Sequence, residues 1–131
     1  MTEIVYVLDS EGLSRAVLGD EPMRARLKDA HRTGIRVVTS STTLIEAYHG
    51  KLPYSAWQWF VSRIVVEPVT DEVAHSAIAL LKDVGLHGHK YAIDAALAVI
   101  AARQRGVVTV FTSDVDDLTK LCPPRVLVRR L

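Results

Sequence analysis

Tyr91-Ala92-Ile93-Asp94-Ala95-Ala96-Leu97-Ala98-Val99-Ile100-Ala101-Ala102-Arg103-Gln104-Arg105-Gly106-Val107-Val108-Thr109-Val110-Phe111 is the stretch on which the reading of this chain turns. From residue 92 to residue 102 everything except Asp94 is apolar, the pattern of a helix surrounded by protein on all sides. The spacing predicts a helix over 91–105, stopped at Gly106. The β-branched run over 107–111 is too short for a free-standing helix and lacks polar alternation. It reads as a strand covered on both faces. A buried helix feeding a buried strand belongs to layered α/β proteins with parallel sheets.

The same alternation extends outward. Strands are predicted at 4–8, 35–39, 64–67 and 126–128 as well as 107–111, and helices at 21–32, from about Thr43 through Glu46, at 71–84 and at 114–121. Gly34 and Gly85 stop two of these helices, and residues 87–90 read as a loop. A break at 50–53 precedes a short helical segment with Trp57, Trp59 and Phe60. The order implies one doubly wound, mostly parallel sheet of four to five strands. Ligands of such sheets bind beyond the carboxyl ends of the strands, where the strand order reverses.

At 131 residues the chain is one domain, 1–131, large enough to bury about two thirds of its unfolded surface without disulfides. It is 49% hydrophobic and 24% charged, which excludes disordered and low-complexity classes. The longest apolar run, 95–102, is far short of the ~18 residues of a membrane span, and no basic segment followed by a secretory apolar core opens the chain. With Cys122 the only cysteine, the expectation is a soluble cytoplasmic protein from a reducing compartment. A net charge of +1 does not announce a nucleic-acid binder, and Arg24, Arg26, Lys28 and Arg32 read as a solvated helix face.

Five carboxylates stand where such a domain does not normally place bare charge. Asp9 follows the first strand, Asp114 and Asp117 follow the fourth, Glu46 lies past the second, and Asp94 interrupts the apolar helix. Each has a structural explanation. Asp9 and Asp114 suit helix caps, Asp117 suits the positive end of a helix dipole, and Thr43 with Glu46 has capping-box spacing. A first-turn position would likewise stabilise Asp94 with free amides. Together, however, the five repel unless a cation joins them, and hard oxygen ligands select Mg²⁺ or Mn²⁺. His87 and His89 form an H-x-H pair that reads as solvated rather than ligating, since no cysteine or further histidine accompanies it. Thr112 and Ser113 suit both backbone capping and orientation of metal-bound water. Trp57 and Trp59 suit packing in a core or protein interface better than base stacking.

Val7-Leu8-Asp9-Ser10, Leu44-Ile45-Glu46, Asp94-Ala95-Ala96 and Thr112-Ser113-Asp114-Val115-Asp116-Asp117-Leu118, in this order along nearly the whole chain, resemble the PIN domain, in particular the VapC-type toxin ribonucleases of toxin–antitoxin pairs. The resemblance implies a three-layer αβα sandwich whose acidic pocket binds Mg²⁺ or Mn²⁺ and hydrolyses RNA, leaving a 5′-phosphate. On it, Asp9, Asp94 and Asp114 are the principal metal ligands, Glu46 ligates a second ion or positions water, and Asp117 is the more variable last acid of the catalytic set. Asp116 faces solvent. It further implies a homodimer and a VapB-type antitoxin whose C-terminal segment covers the active-site groove. Lys90, Arg15 and Lys51 are candidates for holding flanking phosphates. Glu11 departs from the family pattern and leaves the ion count open.

Three other readings compete. A haloacid dehalogenase-type phosphatase needs a second aspartate where this chain has Glu11, together with a cap domain. A receiver domain needs a phospho-acceptor aspartate where it has Glu67-Pro68. A catalytically silent PIN-like binding module is the third, and retention of all the expected acids argues against it.

Overall fold

In the computed structural model, which describes residues 3–131, a parallel sheet carries helices on both faces. The strands are β1 (Ile4–Leu8), β2 (Arg36–Ser40), β3 (Val65–Glu67), β4 (Val107–Thr112) and β5 (Leu127–Arg130). The helices are α1 (Ser10–Leu18), α2 (Glu21–Thr33), α3 (Ser41–Ala47), α4 (Tyr54–Val61), α5 (Asp71–Val84), α6 (Gly88–Arg103) and α7 (Val115–Leu121). The strand order is β3-β2-β1-β4-β5 with every pairing parallel. Each crossover therefore carries the chain back over one face of the sheet, and helices cover both.

Strand alternation divides the interior in two. Val5, Val7, Val108 and Val110 point toward α5, α6 and α7, where Leu97, Ile100, Leu118 and Leu121 complete one core. Leu8 and Phe111 point the other way and pack with Leu13, Val17, Met23 and Phe60. The run Leu97–Ala101 of α6 is buried at every position, as its all-apolar sequence requires. Gly106, at φ 86°, makes the turn into β4 where the backbone passes so close to the Glu3 carbonyl that a Cβ would collide with it.

The structure corrects the sequence reading at four places. Residues 10–18 form α1, for which the sequence pattern gives no expectation; Asp9 caps it, and Leu13, Ala16 and Val17 form its buried face. Residues 88–90 are not loop, because α6 starts at Gly88 and ends at Arg103 rather than Arg105. Helix α3 starts at Ser41 with Ser40 as its cap, accepting from the Thr43 amide, so Thr43 and Glu46 do not form the predicted capping box. Finally, β5 extends to Arg130, two residues beyond the predicted strand.

Candidate active site

The two inner strands β1 and β4 pair from Ile4↔Val107 to Leu8↔Phe111, so their carboxyl ends lie side by side. To one side of β1 the order runs through β2 to β3, and to the other through β4 to β5. This is the topological switch point at which α/β sheets open a crevice. Asp9 leaves one side of it and Asp114 the other.

Asp9 is only 5% exposed. Its Oδ1 accepts from the Gly12 amide at 2.9 Å, capping α1, and its Oδ2 accepts from the Ser113 amide at 3.0 Å across the crevice. The capping explanation is therefore correct for Asp9, but incomplete, since the same carboxylate ties the β1–α1 junction to the β4–α7 junction. Burial pushes its pKa up, opposed by the Gly12 amide, the Thr112 hydroxyl and the Ser113 amide, while the Asp114 charge adds to the rise.

Asp94 has lost its structural explanation. With α6 starting at Gly88, it lies in the second turn, beyond the free amides of the helix start. Among the described residues no hydrogen bond or ion pair reaches its carboxylate. Burial pushes its pKa up to about 6, and the charges of Asp114, Glu46, Asp9 and Asp117 all push in the same direction. That common influence places all five predicted acids within electrostatic range of one point.

The other acids are more open. Asp114 occupies the cap position of α7 without making a side-chain cap bond, and its amide is held by Thr112 Oγ1 at 2.8 Å. Asp117 is half-buried in the first turn of α7, and Glu46 and Asp116 are exposed. Cys122 lies close enough to Asp94 to feel its charge. Burial, assisted by that charge, pushes its thiol up to about 11, so it stays protonated and is no nucleophile near neutral pH.

Among the described residues the acids converge without closing into a ready metal cage, and His87 and His89 are exposed outside any such group. The donor set nevertheless suits a hard divalent cation. It is made entirely of carboxylate oxygens, and its central member is raised from its ordinary pKa by burial first and by the neighbouring acids next.

The surrounding residues settle several further expectations. Glu11 pairs with Arg15 at 3.1 Å on the exposed side of α1. Arg26 stacks on the Phe111 ring at 4.1 Å and Arg32 pairs with Asp29, which accounts for half of the basic cluster on α2. Trp57 is half-buried against Tyr48, whereas Trp59 is 59% exposed under the Arg63 guanidinium. Lys90, in the first turn of α6, lies over the Tyr91 ring at the site's end of the sheet. Arg130 was missed in the sequence. Its Nη1 reaches the Ser113 carbonyl at 3.5 Å, and the signal that reveals it is the parallel register Thr112↔Arg130 rather than any motif.

An acid-lined crevice at the switch point of a parallel sheet, flanked by helices on both faces, is the architecture of a PIN-like domain. The chain is similar to one in the crystal structure of VapBC2 from Rickettsia felis bound to a DNA fragment from their promoter, with a TM-score of 0.72 over 97% of this chain and 98% of that one. At 17% identity this likeness establishes the fold alone, a PIN-like α/β fold, over 97% of the chain. No family model and no curated protein matches the sequence. No helix among the described residues is long and apolar enough to cross a membrane.

Proposed function

We propose that this protein is a metal-dependent endoribonuclease, the toxin of a type II toxin–antitoxin pair. The observation that carries the reading is Asp94. A half-buried carboxylate on an apolar helix, with no donor, its pKa raised to about 6 by burial and by four other acids, destabilises the fold unless a cation compensates it. Asp9, Asp94, Asp114 and Glu46 would hold Mg²⁺ or Mn²⁺, with Asp117 at the edge of the set. A metal held there would supply Lewis-acid activation of water for attack at phosphorus and would stabilise charge on the departing oxygen.

The chain's own residues divide the remaining work. The amides of Gly12 and Ser113 fix both oxygens of Asp9, so this ligand is oriented before any ion arrives. Thr112 holds the turn that presents Asp114. The rigid, fully packed body of α6 positions Asp94. For the partner, we place a VapB-type antitoxin in a groove of about 770 Å³ between α1, α2 and α4, whose apolar floor includes Val17, Leu27 and Phe60 and whose rim carries Arg24, Lys28 and Arg63. An apolar floor with a basic rim suits an amphipathic, acidic helix. A homodimer, and a cytoplasmic location, are part of the same proposal.

The open arrangement of the acids favours one second reading, a catalytically silent binding module. Cleavage of RNA with Mg²⁺ or Mn²⁺ by the wild-type protein, lost in Asp94→Asn with folding retained, supports the nuclease. Equal cleavage by wild type and variant rejects the site, and no cleavage by wild type favours the silent module.

A further inference from the structure

Strand β5 ends on two arginines at the carboxyl edge of the sheet, the edge that carries the acids. The register Val110↔Val128 and Thr112↔Arg130 puts Arg130 on the face where Thr112 supports the β4–α7 turn. Its Nη1 lies 3.5 Å from the Ser113 carbonyl, and the amide of the same Ser113 holds Asp9 Oδ2 at 3.0 Å. A single residue thus separates the guanidinium from the most buried acid of the site.

Arg130 is exposed, and among the described residues no carboxylate lies within ion-pair distance of it, although Asp114, Asp116 and Asp117 follow in the next turn of chain. Arg36 and Arg103, at the opposite end of the sheet, are both paired, with Glu67 and Glu72. A guanidinium tethered by one N–H keeps the rest of its fork free for phosphate oxygens. Such a group is what an acid-lined pocket requires if a polyanion is to approach it.

We propose that Arg130 binds a backbone phosphate of the RNA and thereby sets its path over the β4–β5 side of the crevice. The proposal rests on the ribonuclease reading for its ligand. The ordinary alternative is that an arginine on an edge strand merely discourages pairing with other sheets, which predicts no effect on RNA.

The test measures fluorescence anisotropy of a labelled single-stranded RNA oligonucleotide with Mg²⁺, in an Asp94→Asn background that silences cleavage. Arg130→Gln is expected to weaken binding about tenfold and to flatten the dependence of log Kd on log salt by about 0.7, the loss of one phosphate contact to a single strand. Arg130→Lys restores the slope but only part of the affinity, because an ammonium lacks the planar fork. Arg32→Gln, which removes an equal charge from the paired, exposed end of α2, leaves both unchanged. An Arg130→Gln protein that binds like its parent, an equal loss in Arg32→Gln, or a parent that does not bind RNA overturns the proposal. Cleavage by the wild-type protein is scored separately. A wild type that cleaves, alongside an Arg130→Gln protein with unaltered binding, defeats this inference alone; binding through Arg130 without cleavage defeats only the catalytic reading.

Discussion

The two ends of the sheet handle charge in opposite ways. Arg36, at the start of β2, reaches Glu67 at 3.7 Å and Gln104 at 2.9 Å, while Arg103, at the end of α6, meets Glu72 and, at 3.0 Å, Ser76. Acids and bases alternate there and neutralise one another. At the carboxyl end, five acids share one crevice, and no cation of the chain pairs with any of them among the described residues. The same strands and helices supply both ends, so the fold does not require the imbalance. Charge that a fold could have paired and did not is the clearest sign of a ligand.

The largest expected effect comes from removing the centre of the imbalance. Asp94→Asn should lower RNA cleavage by about a thousandfold, which corresponds to about 4 kcal/mol of transition-state stabilisation, in a single-turnover assay. The same variant should melt higher than wild type in metal-free buffer, because it removes a charge that burial and four neighbours oppose. A lower melting temperature would mean that the charge is structurally compensated.

Asp9→Asn should combine lost cleavage with lost stability. Its amide cannot accept from Gly12 and Ser113 with both side-chain atoms, so one of the two donors loses its partner, at about 1 kcal/mol by urea denaturation. Next in size is the metal itself. Mn²⁺ at about a hundred times its Kd should stabilise the protein by about 2.7 kcal/mol and raise the melting temperature in calorimetry. No shift at millimolar metal would break the contrast between the two ends.

The pH dependence follows from the signs. Asp94 and Asp9 both hold protons more tightly in the folded chain than in the unfolded one, where aspartate titrates near 3.9. The stability contributed by protonated Asp94 is therefore fully present below about pH 4 and lost as pH rises through about 6. Metal binding needs the deprotonated form and runs the other way, so the Mn²⁺-induced shift should grow as pH rises through the same value. The smallest effect belongs to the amino end. Arg36→Gln should change stability by no more than about 0.5 kcal/mol and leave cleavage unaltered, as expected for exposed pairs.

The sequence made much of this legible, and its failures share a cause. Buried strands and the apolar helix announce themselves, because packing leaves few alternatives for runs such as 4–8 and 92–102. Asp9 and Asp94 were legible because they end and interrupt such runs, and Glu46, Asp114 and Asp117 because they follow predicted strands. Helix α1 was not read because its apolar face is only Leu13, Ala16 and Val17, interleaved with Ser10, Glu11, Ser14 and Arg15. The first turn of α6 was hidden by Gly88, His89 and Lys90, poor helix formers or charged residues that neighbouring structure holds in place. That one turn changed the meaning of Asp94, from a residue with free amides at hand to one without. Arg130 was invisible for another reason: its importance lies in a strand register, which no local pattern encodes.

The insertion of β4 beside the central β1 has a consequence for timing. Asp9 is made near the start of synthesis, but its Ser113 partner and Asp114 follow more than a hundred residues later, in a turn that depends on β4 taking its place. A nascent chain lacking β4 and α7 has three of the acids and no crevice to hold them. A chain still being made therefore lacks the assembled acidic crevice, which comes into being only when the last inner strand slots into the sheet.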